Sequence, residues 1–234
     1  MSLTYGTGPF GDDPAGRFNF EAPREGVRYL EESPRWIRAR VGGDTVVDSK
    51  RPRLLHESGR LPRFLFPRED VRTDLLPEEA VRAHDDELVE VEWGAVDEWL
   101  EEEERQVGHA RDPFHRIDVR QSSRHARVSI GGELVAESRR AKALFETGLP
   151  TRWYFPAEDV RTELLTESDT NTVCAYKGTA SYWSVGDEDD IVWTYREPLH
   201  DALEVKDHLA FFNERVDLEV DGELEERPQT QWSR

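Results

Sequence analysis

Gly131-Gly132-Glu133-Leu134-Val135-Ala136-Glu137-Ser138-Arg139-Arg140 opens a stretch that the chain has already written once, 89 residues earlier, as Gly42-Gly43-Asp44-Thr45-Val46-Val47-Asp48-Ser49-Lys50-Arg51. Gly131–Leu165 and Gly42–Leu76 align without a gap, and 18 of the 35 pairs are identical. The match continues through Arg152-Trp153-Tyr154-Phe155-Pro156 against Arg63-Phe64-Leu65-Phe66-Pro67. It ends on Glu158-Asp159-Val160-Arg161-Thr162 against Glu69-Asp70-Val71-Arg72-Thr73. Identity at that density marks an internal duplication, so the two copies share one fold.

The copies read as β structure. Trp36–Val41 and Thr45–Val47 are β-prone runs around Gly42-Gly43-Asp44, which is a hairpin signal. Leu88–Trp93 and Val216–Val220 alternate as strands do. Val96–Glu104, with its four-Glu run, reads as a short helix with a solvated acidic face, and Asp201–Phe212 as another with Leu203, Leu209, Ala210 and Phe212 buried. Thr166–Asn171 reads as a polar turn. The expected class is mainly β with short helices, in tandem units of antiparallel sheets. An irregular arm (residues 1–25) comes first, pinned to the body by Phe10, Phe18 and Phe20. A first repeat (26–115), a second (116–222) and a loose polar tail (223–234) follow.

Composition bounds the partners. Asp plus Glu total 50 against 31 Lys plus Arg, a formal charge of −19, which opposes binding to nucleic acid or anionic lipid. The one cysteine excludes a disulfide framework and a paired-cysteine zinc site. No run is apolar enough to span a membrane, and the N-terminus lacks a signal-peptide pattern, so a cytoplasmic location is expected. The seven histidines show no metal-ligand spacing, and Ser138, Ser181 and Ser184 lack a nucleophile-elbow context.

Chemistry concentrates in Cys174-Ala175-Tyr176-Lys177-Gly178-Thr179-Ala180-Ser181-Tyr182-Trp183, found in the second copy only. The first copy has Leu88–Trp93 and the acidic segment in its place. Cys174 reads as a nucleophilic or redox thiol, or as a small buried apolar residue. As strand residues, Cys174 and Tyr176 would share a face and Lys177 would point to the other. Lys177 reads as a ligand-binding ammonium or as the partner of an acid at a turn. Glu146 and Arg161 recur as Glu57 and Arg72, which favours a shared structural task such as an ion pair over a pocket acid and anion clamp. Trp153, Tyr154, Tyr176, Tyr182 and Trp183 are rings for an aromatic pocket or for plain sheet core.

Glu146-Thr147-Gly148, Trp153-Tyr154-Phe155-Pro156, Asp159-Val160-Arg161, Cys174-x-Tyr176-Lys177-Gly178-x-Ala180-x-Tyr182-Trp183, Trp193-x-Tyr195 and Ala210-Phe211-Phe212 together resemble the bacterial family known as domain of unknown function 427. The resemblance is strong over residues 125–222, and residues 35–115 look like a second, eroded copy. It implies a β-tent, two antiparallel sheets leaning together around a cleft. Many proteins of that architecture hold zinc through paired cysteines, which this chain lacks, so no structural zinc is expected and no cofactor is named. Cys174-Ala175 stands where the family usually has Cys-Pro. One label carried by the family suggests nucleotidyl transfer.

The residues thus point to a small molecule, of unidentified chemistry, bound in a cleft of the second repeat. Cys174, Tyr176, Lys177 and Trp183 would form one wall and Glu146, Trp153, Tyr154 and Arg161 the other, with Cys174 and Lys177 the groups to test for catalysis. The alternative is a non-catalytic protein-interaction module whose acidic exterior selects basic partners.

Overall fold

The computed structural model describes residues 3–233. The chain divides into two compact units, Met1–His115 and Arg116–Arg234. In the first unit the strands are β1 (Arg28–Glu32), β2 (Ile37–Val41), β3 (Asp44–Ser49), β4 (Arg53–Glu57), β5 (Arg63–Pro67), β6 (Val81–Ala83), β7 (Leu88–Val91), β8 (Glu98–Glu101) and β9 (Glu104–Gln106). In the second they are β10 (Ile117–Gln121), β11 (Ala126–Ile130), β12 (Glu133–Ser138), β13 (Lys142–Glu146), β14 (Arg152–Phe155), β15 (Leu165–Cys174), β16 (Gly178–Val185), β17 (Glu188–Thr194), β18 (Leu209–Phe211), β19 (Asp217–Val220) and β20 (Glu223–Leu224). Shifting β10, β11, β12 and β13 back by 89 residues reproduces the bounds of β1, β2, β3 and β4.

Each unit pairs a larger antiparallel sheet with a four-stranded one. The first unit has the order β1-β4-β5-β7-β6 beside β3-β2-β8-β9; the second has β10-β13-β14-β18-β17-β16-β15 beside β12-β11-β19-β20. The fold is mainly β, in tandem units, with no closed barrel. The helices among the described residues are short 3-10 turns. None is long and apolar enough to cross a membrane.

Two local devices recur in both units. The hairpins β2–β3 and β11–β12 turn on Gly42-Gly43 (φ 58° and 91°) and Gly131-Gly132 (φ 58° and 84°), left-handed backbone that side chains resist and a twisted two-residue hairpin needs. After β3 and β12, Ser49 and Ser138 donate to Asp70 and Asp159, 2.7 Å in each case. Arg51 and Arg140 close on the same carboxylates at 3.2 and 2.8 Å. The repeated Glu-Asp-Val-Arg text is thus the staple that ties the strand crossover to the turn after β5 or β14.

The main core of each unit lies between its sheets. In the second unit Trp153, Phe155, Val192 and Phe211 meet Val128, Val135 and Leu218 there. In the first, Trp99 stacks on Trp93 and Phe66 at 5.0 and 5.9 Å.

Several expectations are corrected. Val96–Glu104 is no helix: β8 lies on β2, buries Trp99 and Leu100, and turns at Glu102 (φ 51°) into β9. Burial of two bulky side chains against a distant strand overrides the helical propensity of the glutamates. Thr166–Asn171 lies within edge strand β15, with a pairing irregularity between Glu167 and Asn171. Asp201–Phe212 splits into a 3-10 turn, His200–Val205, and strand β18, and Leu203 is exposed. Phe10, Phe18 and Phe20 stack on one another, with Phe18 and Phe20 exposed. The arm is anchored instead by buried Thr4, whose hydroxyl donates to the Glu57 carbonyl at 2.9 Å. The tail is not loose throughout, since Thr230 and Trp232 dock on the second unit.

The last correction concerns the stretch found in one copy. β7 lies beside β5 as β18 lies beside β14, and β8 lies beside β2 as β19 lies beside β11. Leu88–Trp93 and the acidic segment therefore match later parts of the second copy. Cys174–Trp183 belongs to β15 and β16, two strands added beyond the position of β6 at the sheet edge.

Candidate functional site

Strand alternation sorts the second unit's large sheet into two faces. Ala143, Trp153, Phe155, Val192 and Phe211 face the small sheet. Leu144, Tyr154, Ala180, Tyr182, Trp193, Tyr195 and Ala210 line the opposite face, where Ala202 and Val205 of the 3-10 turn also pack. Glu146 and Arg152 share the parity of Leu144 and Tyr154, so their strands aim them at that second face.

The turn between β15 and β16 completes the face. Cys174 pairs with Gly178 in register, and Ala175, Tyr176 and Lys177 between them are all buried. Lys177 is thus in a turn, and the strand parity that set it opposite Cys174 does not apply. Leu199 N–H donates to the Lys177 carbonyl at 3.1 Å, tucking the turn against residues 197–199. The Lys177 ammonium donates to Glu146 Oε2, with the two side chains 8% and 4% exposed. Charges so deeply buried persist only when paired.

Three phenols stand nearby. The Tyr154 hydroxyl accepts from Trp193 Nε1 at 3.1 Å, and Tyr182 Oη lies 2.7 Å from Thr172 Oγ1. Burial pushes the Tyr154 phenol far above its usual range; the Trp193 hydrogen bond opposes this, and the Glu146 charge adds to it. Burial raises Tyr195 as well, with Tyr154, Cys174 and Glu146 acting in the same sense. Tyr182 is raised by burial against the Thr172 hydrogen bond, and it feels Lys177 and Cys174. All three are neutral donors at ordinary pH. Cys174 is half-buried and shares the strand parity of Thr172, whose hydroxyl meets Tyr182 on this face.

The sequence reading missed a second buried pair. Arg152 grips Glu214 with two hydrogen bonds, 2.7 and 2.6 Å, at side-chain exposures of 5% and 0%. Thr230 donates to Glu214 at 2.6 Å. Burial works to raise the Glu214 carboxyl, but the Arg152 and Thr230 hydrogen bonds and the Arg152 charge overcome it and hold it below the usual range. The guanidinium also lies 5.6 Å from the Trp193 ring, 5.8 Å from Phe212 and 5.5 Å from Trp232. The repetition of Arg63 as Arg152 was the available signal. The position of Glu214 and Trp232 beyond the repeat hid their role.

The structure therefore brings Glu146, Tyr154, Cys174, Lys177 and Tyr182 together, with Tyr176 buried in the adjoining turn. Trp153 and Trp183 pack on the opposite face, toward the small sheet. Arg161 is at the surface, bound to Glu133 at 2.9 Å and Glu163 at 3.0 Å. Its N–H donates to the Val135 carbonyl at 2.8 Å, as that of Arg72 does to Val46 at 2.8 Å. The two arginines share a structural task. Among the described residues no group of three or more His, Cys, Asp and Glu side chains is placed to hold a metal ion.

No curated protein matches the chain. The family model described as a domain of unknown function, DUF427, matches residues 29–87 and 118–222, more than half of the chain and parts of both units. A duplicated two-sheet unit with the added Cys174–Trp183 hairpin in its second copy is thus the form that the family takes here, and the chain belongs to the DUF427 family.

Proposed function

We propose that the second unit binds a small molecule bearing an acidic group at the face formed by Lys177, Glu146, Cys174 and Tyr182. The observation that carries this reading is the buried Lys177–Glu146 pair. A buried ion pair adds little stability over an apolar filling of the same volume. The first unit does without it: its matching acid, Glu57, is held by Arg63 on a neighbouring strand. An ammonium brought in on an extra hairpin and held by one carboxylate suits exchange of that carboxylate for a ligand's. Tyr182 and Tyr195 supply neutral donors beside it, and Cys174 supplies the one thiol.

Binding is the part of the reading that the residues support. Nucleotidyl transfer would add a divalent cation bridging phosphates, for which the described residues hold no clustered ligand set. A thermal-shift screen with nucleotides, sugar acids and amino acids tests the proposal. A ligand at about 100 times its dissociation constant adds roughly 2.7 kcal/mol. That stabilisation disappears in the Lys177→Met/Glu146→Gln double variant, which keeps the volume without the charges; a ligand that stabilises both proteins equally sinks the reading. Iodoacetamide addresses the thiol: alkylation of Cys174 only in denaturant removes it from the chemistry.

A further inference from the structure

The first unit carries a concave site of its own. A cleft of about 1150 Å³ opens where the chain crosses from β3 to β4, leaves β5 and enters β7. Pro52 and Leu88 are its buried apolar floor. Lys50, Arg53 and Arg68 also line it, and among the described residues none of the three reaches a carboxylate. In a chain of net charge −19, three such cations converge on one cleft. Arg35, Arg38, Arg40, Arg51 and Arg72 of the same unit all make ion pairs.

The matching place in the second unit is different. Arg140, Pro156 and Glu158, the counterparts of Arg51, Pro67 and Glu69, line a cleft of about 390 Å³. There Ala157 stands for Arg68, and Lys142 stands for Arg53 with its ammonium bound to the Glu204 carbonyl. Arg53 and Arg68 together, with no carboxylate partner among the described residues, are thus a property of the first copy, whereas Lys50, which lies 5.0 Å over the Trp36 ring, has the cationic counterpart Arg139. Glu32 on β1 and Asp86-Glu87 before β7 flank them in strand order, so acceptors stand on either side of the positive centre.

We propose that this cleft binds a small organic phosphate carrying hydroxyl groups. Arg53, Arg68 and Lys50 take the phosphate through charge-assisted hydrogen bonds, the arginines in bidentate fashion. Glu32, Asp86 and Glu87 accept the hydroxyl hydrogens. The cleft is large enough to admit a ligand of that class.

Isothermal titration of the full chain with ribose 5-phosphate at low ionic strength tests this, with inorganic phosphate and ribose as further probes. Ribose 5-phosphate binds, inorganic phosphate binds more weakly, and ribose gives no heat. Arg53→Ala/Arg68→Ala weakens ribose 5-phosphate binding tenfold or more; neither arginine leaves a carboxylate partner behind, so the variant keeps its fold, which circular dichroism verifies. Lys177→Met/Glu146→Gln leaves the binding unchanged, which separates this cleft from the site of the second unit. Absence of heat with ribose 5-phosphate, unaltered binding in the arginine variant, or loss of binding in the Lys177→Met/Glu146→Gln variant overturns the proposal.

Discussion

Glu146 is held by Lys177, whereas Glu57, its counterpart one repeat earlier, is held by Arg63. Arg152, the counterpart of Arg63, turns to Glu214 instead. Duplication thus supplied an acid and a base that pair with each other in the first unit, where Arg28 also reaches Glu57 at 3.0 Å. In the second, Lys177 and Glu214, both beyond the duplicated stretch, separate them into two buried pairs. Removing one member leaves the other charged and desolvated. Lys177→Met should cost about 3–5 kcal/mol in urea unfolding, and adding Glu146→Gln should recover most of that. Equal losses in the single and double variants would show that the two side chains are not coupled.

The second pair makes a prediction in acid. Glu214 is held below the usual carboxyl range, so the unfolded chain binds its proton more tightly than the folded one. The stability it contributes is present above the ordinary Glu value of about 4.3 and is lost as pH falls through the lower folded value. Glu214→Gln should lower stability at neutral pH by about 3–5 kcal/mol, since Arg152 is left buried and unpaired. It should also flatten the acid limb of the melting temperature below about pH 5. An acid limb that keeps its slope in the variant assigns it to other carboxyls.

At the alkaline end the buried phenols govern. Tyr154 and Tyr195 are raised above the ordinary tyrosine value of about 10. Their stabilising linkage is complete below that value and is lost as pH rises toward the folded values. Unfolding above about pH 10 should therefore coincide with phenolate absorbance, not follow it. Tyr154→Phe should shift that transition upward. At neutral pH it should cost about 1–3 kcal/mol, because Trp193 Nε1 loses its acceptor.

The fold was legible where the text repeats. Gly42-Gly43 and Gly131-Gly132 mark the hairpins, and the Ser-Asp-Arg staple explains why Asp70 and Asp159 recur. Local patterns misled where distant burial decides. Glu98–Glu101 has helix-forming glutamates, yet Trp99 is committed to Trp93 and Phe66 across the unit. The site was legible as a list and not as an arrangement. Glu146, Tyr154, Lys177 and Tyr182 meet, but alternation along β14 and β16 sends Trp153 and Trp183 to the other face. Glu214 and Trp232 carry no local signal, because their meaning lies in Arg152, 62 residues from Glu214 along the chain.

Gly178 is where the candidate site depends on backbone alone. It has φ +92°, and a Cβ there would lie 3.3 Å from the Glu197 carbonyl oxygen and 3.4 Å from Leu199 N. Both neighbours are main chain, and Leu199 N–H is already committed to the Lys177 carbonyl at 3.1 Å. Gly178→Ala should therefore cost about 1–3 kcal/mol through strain in the left-handed region. The hairpin relieves that strain by loosening the turn, which frees Lys177 from Glu146 and opens the Cys174–Gly178 end. Iodoacetamide should then modify Cys174 in the folded variant faster than in the parent. Unchanged stability and an unchanged alkylation rate would mean that residues 197–199 give way instead, and that the turn holds Lys177 without needing glycine.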